Sequence, residues 1–172
     1  MGIGTNQFDF IDARFRSHRI KVLDVVCCEA GQAVEIVTAD AAVADELRDP
    51  TTGDVILGRV LRASITDATA SIVNNKVNNR FIVTVQVFDV SSGVPVPIDG
   101  ATQTGIEVDD FTVCAGIRSG DIIQKHDIQP EVSFSVSTID PFDVTMSVDV
   151  DYCLIVSRET ILKVSAAEPF CC

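Results

Sequence analysis

The stretch VTMSVDVDYCLIV, residues 144–156, decides the fold class of this chain. Apolar residues occupy every second position, and mostly polar residues stand between them. Because successive side chains of a β-strand point to opposite faces, this period of two predicts a long strand with one dry face and one wet face. The dry face is predicted to contain Val144, Met146, Val148, Val150, Tyr152, Leu154 and Val156. The wet face is predicted to contain Thr145, Ser147, Asp149, Asp151 and Cys153.

Two further segments alternate in the same way, EVSFSVS at residues 131–137 and VNNRFIVTVQVF at residues 77–88. Clusters of Asn, Gly and Pro separate the alternating segments, as they do in turns between strands. Only ADAAVADELRDP, residues 39–50, has a helical composition. We therefore predict an all-β chain, folded as an antiparallel β-sandwich with one or two helical turns in a connection. Its further inward residues are predicted to be Val77, Phe81, Val83, Val85, Val87, Val132, Phe134 and Val136.

The 172 residues suffice for one domain with a hydrophobic core. We predict an N-terminal arm at residues 1–18, a β-sandwich domain at residues 19–168 and a C-terminal cysteine tail at residues 169–172. The arm lacks clean alternation, and its aromatic residues are candidates for docking: Phe8, Phe10 and Phe15. Docking on another copy and covering of its own sandwich both fit this composition.

The formal net charge of −12 argues against a nucleic-acid partner, because an acidic surface repels the phosphate backbone. Apolar runs are short and interrupted, so we expect no membrane insertion. The first residues, MGIGTNQFDFIDARFRSHR, lack a basic start followed by an apolar block, and we therefore expect no ordinary secretory signal.

Motifs that carry known chemistry are missing from the chain. It contains no P-loop, no G-x-S-x-G and no H-E-x-x-H, and its only imidazoles are His18 and His126. No C-x-x-C spacing occurs, and the carboxylates Asp149 and Asp151 stand outside any calcium-loop pattern. We therefore predict no metal site, no cofactor and no enzymatic activity.

The six cysteines include two adjacent pairs, at positions 27–28 and 171–172. A disulfide within such a pair is unfavourable, so each thiol is expected to reach a different partner. On a strand, neighbouring cysteines point to opposite faces. The six cysteines can be accounted for in three ways: by disulfides between the two adjacent pairs of one chain, by thiols that remain free, or by disulfides between identical chains. The candidates for disulfides between subunits are Cys27, Cys28, Cys153, Cys171 and Cys172.

Cys114 is predicted to be either in a disulfide or a buried thiol. Its phase differs from that of Phe111 and Val113, which favours an orientation away from the core. Ile106 and Val108 share the phase of Cys114, and this favours the opposite orientation. In the tail EPFCC, Phe170 is the predicted apolar anchor in front of the terminal thiols.

The order of these features resembles spore-envelope proteins of endospore-forming bacteria. Residues 105–121, GIEVDDFTVCAGIRSGD, and residues 132–159, VSFSVSTIDPFDVTMSVDVDYCLIVSRE, resemble the spore-coat assembly β-domain called SPOCS. The double cysteines resemble those of endospore appendage pilins, which are jelly-roll subunits whose N-terminal connector forms disulfides to other subunits. The chain departs from those pilins by adding a C-terminal pair, which leaves open whether the arm or the tail is the connector.

The resemblance implies a structural subunit that polymerises with copies of itself on a spore or cell surface. It also implies synthesis in the mother cell and release by lysis, which accounts for disulfide-type cysteines without a secretory signal. The alternative is a scaffold or binding module that anchors other spore-envelope proteins. A metal-binding or redox protein is the least favoured interpretation.

Overall fold

The alternating segments form long β-strands. The computed structural model describes residues 15–139 and 141–167, and among them the side chains of residues 19–139 and 141–162. This part of the chain contains one helix, α1 (Ala41–Leu47), and six strands. The strands are β1 (Phe15–Thr38), β2 (Arg59–Val73), β3 (Lys76–Asp89), β4 (Val96–Val113), β5 (Ile122–Val136) and β6 (Val144–Ala167).

The strands form two three-stranded sheets, ordered β1-β6-β5 and β2-β3-β4. The pairs β2–β3, β3–β4 and β5–β6 are antiparallel. In β5 and β6, Val132 lies opposite Val148, so the inward rows of the two strands coincide. The predicted all-β antiparallel sandwich is therefore confirmed, with three strands in each described sheet where a jelly roll has four.

Residues 25–158 form one compact unit, and its core lies between the two sheets. Every predicted inward residue of residues 144–156 is buried, and so are the predicted inward residues of β3. The rings of Phe81 on β3 and Tyr152 on β6 pack with their centroids 5.0 Å apart, which joins the inner faces of the two sheets. Burial of these apolar rows stabilises the sandwich by roughly 1.5–3 kcal/mol for each large side chain.

The backbone conformations of the short segments between strands agree with the residues that they contain. Asn74 and Asn75 both have positive φ, 49° and 64°, as a two-residue hairpin turn between β2 and β3 requires. The predicted helical segment contains α1, which starts where the Asp40 side chain accepts a hydrogen bond from the Val43 backbone N–H at 3.0 Å. Val43 and Leu47 are fully buried, so α1 adds apolar surface to the core.

A second unit contains residues 1–24 and 159–172. Its described part is the beginning of β1 and the end of β6, which are neighbours in one sheet and form a two-stranded ribbon. Lys21 Nζ lies 3.1 Å from Glu159 Oε2, and the Thr160 hydroxyl donates to Asp24 at 2.7 Å. Strand β1 thus begins at Phe15, inside the segment that the sequence predicts to be an arm.

Candidate functional site

Two of the six cysteines form a disulfide within the chain. Cys27 on β1 and Cys114, directly after β4, are joined with their Cα atoms 5.7 Å apart. Both are buried, with 9% and 1% of their surface exposed. This corrects the prediction that Cys27 is a candidate for a bond between subunits, because its sulfur is already bonded to Cys114.

The disulfide joins the edge strands of the two sheets, since β1 and β4 each lie at an edge. A second connection lies at the far end of β1, where Gln103 of β4 donates to the Thr38 carbonyl and accepts from the Asp40 backbone N–H. The orientation favoured for Cys114 by Phe111 and Val113 is wrong. Those two side chains are 56% and 66% exposed, and Cys114 shares the inward phase of the buried Ile106 and Val108.

Two free thiols, Cys28 and Cys153, lie in the described part of the chain. Cys28 is exposed, whereas its neighbour Cys27 is buried, so the adjacent cysteines do point to opposite faces. Cys153 is half-buried and stands between the inward Tyr152 and Leu154. Both thiols therefore belong to the outer face of the β1-β6-β5 sheet, and Cys28 is the more exposed of the two.

His126 lies opposite Cys153 in the register of β5 and β6. The sequence offered no way to bring a histidine near a cysteine, because the two positions are far apart along the chain. A base must hydrogen-bond the thiol that it activates, and no hydrogen bond links these two side chains in the described residues.

The remaining predicted site residues lie outside the described part. They are Phe8 and Phe10 of the arm, the side chain of Phe15, and Phe170, Cys171 and Cys172 of the tail.

The core contains a polar network that the sequence analysis missed. Tyr152 donates its hydroxyl hydrogen to Asp110, and it accepts a 2.9 Å hydrogen bond from the Asn79 amide. The Thr112 hydroxyl lies 3.0 Å from the same oxygen. Burial, with the Asp110 carboxylate next in importance, raises the pKa of Tyr152 to about 12. The phenol therefore stays neutral at ordinary pH and acts as a structural link between β6, β3 and β4.

The same tyrosine explains the need for a glycine on β1. A Cβ atom at Gly31 would lie 2.3 Å from Cζ of the Tyr152 ring, a distance at which atoms overlap. The ring therefore takes the space that any larger side chain at position 31 would fill. Period-two reasoning marks Tyr152 as inward, but it does not reveal that its ring reaches Gly31.

An ion pair between Arg158 and Asp121 fixes the connection between β4 and β5. Arg158 of β6 donates two hydrogen bonds to the Asp121 carboxylate and one to the Gly116 carbonyl, each at 2.8 Å. The guanidinium lowers the pKa of Asp121, so this carboxylate remains charged. This geometry is bidentate and holds the turn that follows Cys114.

The surface of the ribbon is apolar to an unusual degree. Four of its large apolar side chains are 46–61% exposed: Ile20, Leu23, Ile161 and Leu162. A two-stranded ribbon is marginally stable in water, because it has no second layer against which to bury such residues. The ribbon therefore presents a surface that a further sheet or chain segment would stabilise.

No group of three or more His, Cys, Asp or Glu side chains within residues 15–139 and 141–167 is arranged to hold a metal ion. A groove of about 530 Å³ near the start of β2 is lined by Glu46, Arg59 and Asp89, and the arginine pairs with both carboxylates. Two hydrogen bonds from Ser91 and the adjacent Arg59 lower the pKa of Asp89 to about 2. Arg59 thus pairs with both carboxylates of this groove, but its buried Nε has no hydrogen-bond partner among the described residues.

Among the described helical residues, none form a helix long and apolar enough to cross a bilayer. No protein-family model matches the chain, and neither the curated proteins nor the solved structures contain a significant match to it.

Proposed function

We propose that the protein is a structural subunit that polymerises with copies of itself and is cross-linked between copies by disulfides. The observation that carries the proposal is the ribbon of β1 and β6, whose described part exposes four large apolar side chains. Full burial of a large apolar side chain contributes roughly 1.5–3 kcal/mol, and each of these half-exposed residues contributes roughly half of that when an assembly covers it. Association of several such residues therefore offsets a substantial part of the entropy lost on binding.

The cysteines supply the covalent part of the proposal. Cys28 and Cys153 are free in the described structure and face outward, while Cys171 and Cys172 follow the end of β6 in sequence. Two thiols of neighbouring copies lose two protons and two electrons when their sulfurs join. A disulfide oxidant such as oxidised glutathione accepts these electrons and is reduced to two thiols.

The likeness of the double cysteines to those of endospore appendage pilins supports a location on a spore surface. The disulfide between Cys27 and Cys114 fits an oxidising compartment. We propose that Phe8, Phe10 and Phe15 of the arm, together with Phe170 of the tail, dock on a neighbouring copy.

The test compares the purified wild type with Cys171→Ser/Cys172→Ser by electron microscopy and by gels with and without reductant. We expect wild-type polymers whose ladder of bands collapses on reduction. The double variant should form polymers that denaturant dissolves without reductant. Wild type that stays monomeric at high concentration under oxidising conditions refutes the proposal. A Cys28→Ser variant, which leaves the tail intact, tests whether Cys28 is the partner of the tail thiols: polymers that still resist denaturant leave Cys153 as that partner.

Mass spectrometry of a non-reduced wild-type digest then identifies the linked cysteines. A C-terminal peptide joined to a peptide that contains Cys28 or Cys153 supports cross-linking through the tail. Complete alkylation of Cys171 and Cys172 in mature polymer contradicts it.

A further inference from the structure

Charge is segregated along the chain. Residues 25–158 contain 8 Lys and Arg residues against 20 Asp and Glu residues, so this compact unit carries the whole net charge of −12. Residues 1–24 and 159–172 contain five of each and are neutral overall. The cations of this neutral part are concentrated in residues 14–21, which contain no carboxylate: Arg14 precedes β1 in sequence, and Arg16, Arg19 and Lys21 belong to it. A basic strand thus accompanies an acidic sandwich.

The acidic charge includes a cluster on the outer face of the β1-β6-β5 sheet. Glu131 of β5 lies directly opposite Asp149 of β6, and Asp151 is the next outward residue along β6. Like charges at opposed positions destabilise a sheet, so the isolated subunit gains no stability from this arrangement. The outward positions of residues 28–38, 122–136 and 145–157, all of which the structure describes, hold no lysine or arginine.

Apolar side chains accompany these carboxylates. Val34 and Ile36 of β1 are 47% and 68% exposed, and they alternate with the buried Ala33, which places them on the outer face. Strand β1 is the neighbour of β6, and the Ala39 backbone N–H donates to the Val144 carbonyl at 2.8 Å where the two strands adjoin. The outer face therefore combines an apolar strip on β1 with carboxylates on β6 and β5.

The start of β1 has the complementary composition. Arg19 and Lys21 are exposed cations, and Leu23, which shares their face of the strand, is an exposed apolar residue. Opposite charges on the two surfaces attract, and apolar residues on both can be buried together. The same chain thus contains both halves of an interface, which favours a second copy over an unrelated partner.

We propose that the basic start of β1 in one copy docks on the acidic outer face of the β1-β6-β5 sheet in a second copy. This inference rests on the proposed polymerisation and names the two surfaces that meet. Because the surfaces differ, the contact is head-to-tail, and each subunit added leaves one surface of each kind free at the ends. Such contacts propagate as a fibre when the rotation between subunits does not close a ring.

The test is a charge swap. The acidic-face variant carries Glu131→Lys, Asp149→Lys and Asp151→Lys, and the basic-strand variant carries Arg14→Glu, Arg16→Glu and Arg19→Glu. Lys21 is left unchanged because it pairs with Glu159. We expect each variant alone to require roughly tenfold or more protein for polymerisation, because like charges then meet at every contact.

Mixing the two variants in equal amounts should restore polymers. Each reversed strand then meets an oppositely charged face, and the two variants alternate along the fibre. A chain with all six substitutions should polymerise alone for the same reason. The control for the acidic-face variant is Asp45→Lys/Asp54→Lys/Asp99→Lys, which also replaces three carboxylates with lysines and so raises the net charge by the same amount. These exposed positions lie away from the acidic face, so the control should polymerise readily.

The outcomes separate the two proposals. Wild type that forms no polymer refutes the proposed function. Wild type that polymerises while both swap variants polymerise equally well refutes the docking inference alone. Single variants that fail and are not restored by mixing also overturn it, and they point to another partner for the basic strand, such as a nucleic acid. Circular dichroism of each variant verifies that the sandwich is folded.

Discussion

The two ends of strand β6 differ in sequence pattern and in burial. Between Val144 and Val156 apolar residues alternate with mostly polar ones, and the inward side chains are buried by the opposing sheet. Beyond Glu159 the strand continues in the ribbon, where the adjacent Ile161 and Leu162 point to opposite faces and are 61% and 50% exposed. One face of β6 is therefore apolar and buried in the sandwich, whereas its described end exposes apolar side chains on both faces.

The largest contrast in stability is expected between substitutions on the two faces of β6, one of which introduces a charge while the other removes one. Val148→Asp places an unpaired carboxylate at a fully buried position, and it should lower the free energy of unfolding by about 4 kcal/mol or more. Asp149→Val should change it by roughly 0.5 kcal/mol or less, since this outward residue lies opposite another carboxylate. Urea unfolding monitored by circular dichroism measures both. Equal stabilities for the two variants would refute the assigned faces.

The disulfide supplies the next largest effect. Cys27→Ala/Cys114→Ala removes a cross-link between residues 87 positions apart, and loop-closure entropy predicts a loss of about 4 kcal/mol. The control Cys28→Ala/Cys153→Ala should leave monomer stability nearly unchanged, because neither thiol is bonded in the chain. The urea concentration at the midpoint of unfolding, measured without reductant, compares the stabilities of the two double variants. A larger loss in the control would show that the cross-link is not the one described.

Tyr152→Phe tests the polar network of the sandwich with a smaller change. Loss of the hydroxyl removes its hydrogen bonds to Asp110 and Asn79, and it should cost about 1–3 kcal/mol near pH 8. The raised pKa of about 12 means that the wild type holds its phenol proton more tightly when folded than when unfolded.

This contribution to stability is fully present below pH 10, the ordinary pKa of the group, and is lost as pH rises towards 12. The stability difference between wild type and Tyr152→Phe should therefore narrow over this window. Urea unfolding at several pH values measures this difference in the free energy of unfolding. A difference that is constant from pH 9 to pH 12 would contradict the assigned environment of the phenol.

The smallest effect on monomer stability is expected in the ribbon. Leu23→Ser/Ile161→Ser removes exposed apolar surface and should change the free energy of unfolding of the sandwich by roughly 0.5 kcal/mol or less. The same change should raise the protein concentration needed for polymerisation, measured by light scattering. Unaltered polymerisation would mean that the ribbon is not part of the contact. Val25→Ser, an exposed position of β1 at the start of the compact unit, is a matched comparison.

The local features of the fold were readable from the sequence because they depend on neighbouring residues alone. Period two determined which side chains of β3 and β6 face inward, since a strand has only two faces. The asparagine cluster at residues 74–79 indicated a turn near a strand start, and its first two residues form the turn because Asn tolerates a positive φ. The helix that starts after Asp40 follows from its capping side chain and its alanine-rich composition.

Partnerships between distant residues required the tertiary structure. The sequence presented six thiols, and only the position of the β4 end beside β1 selects Cys114 as the partner of Cys27. It likewise marked Tyr152 as inward without revealing that its ring occupies the space at Gly31 and that its hydroxyl meets Asp110. The inward row of the sandwich is buried because the opposing sheet covers it, whereas Ile161 and Leu162 of the ribbon, at adjacent positions, are both exposed. Alternation determines which side chains share a face of a strand. The residues that cover that face are determined by the packing of the two sheets, which depends on residues far apart in the chain.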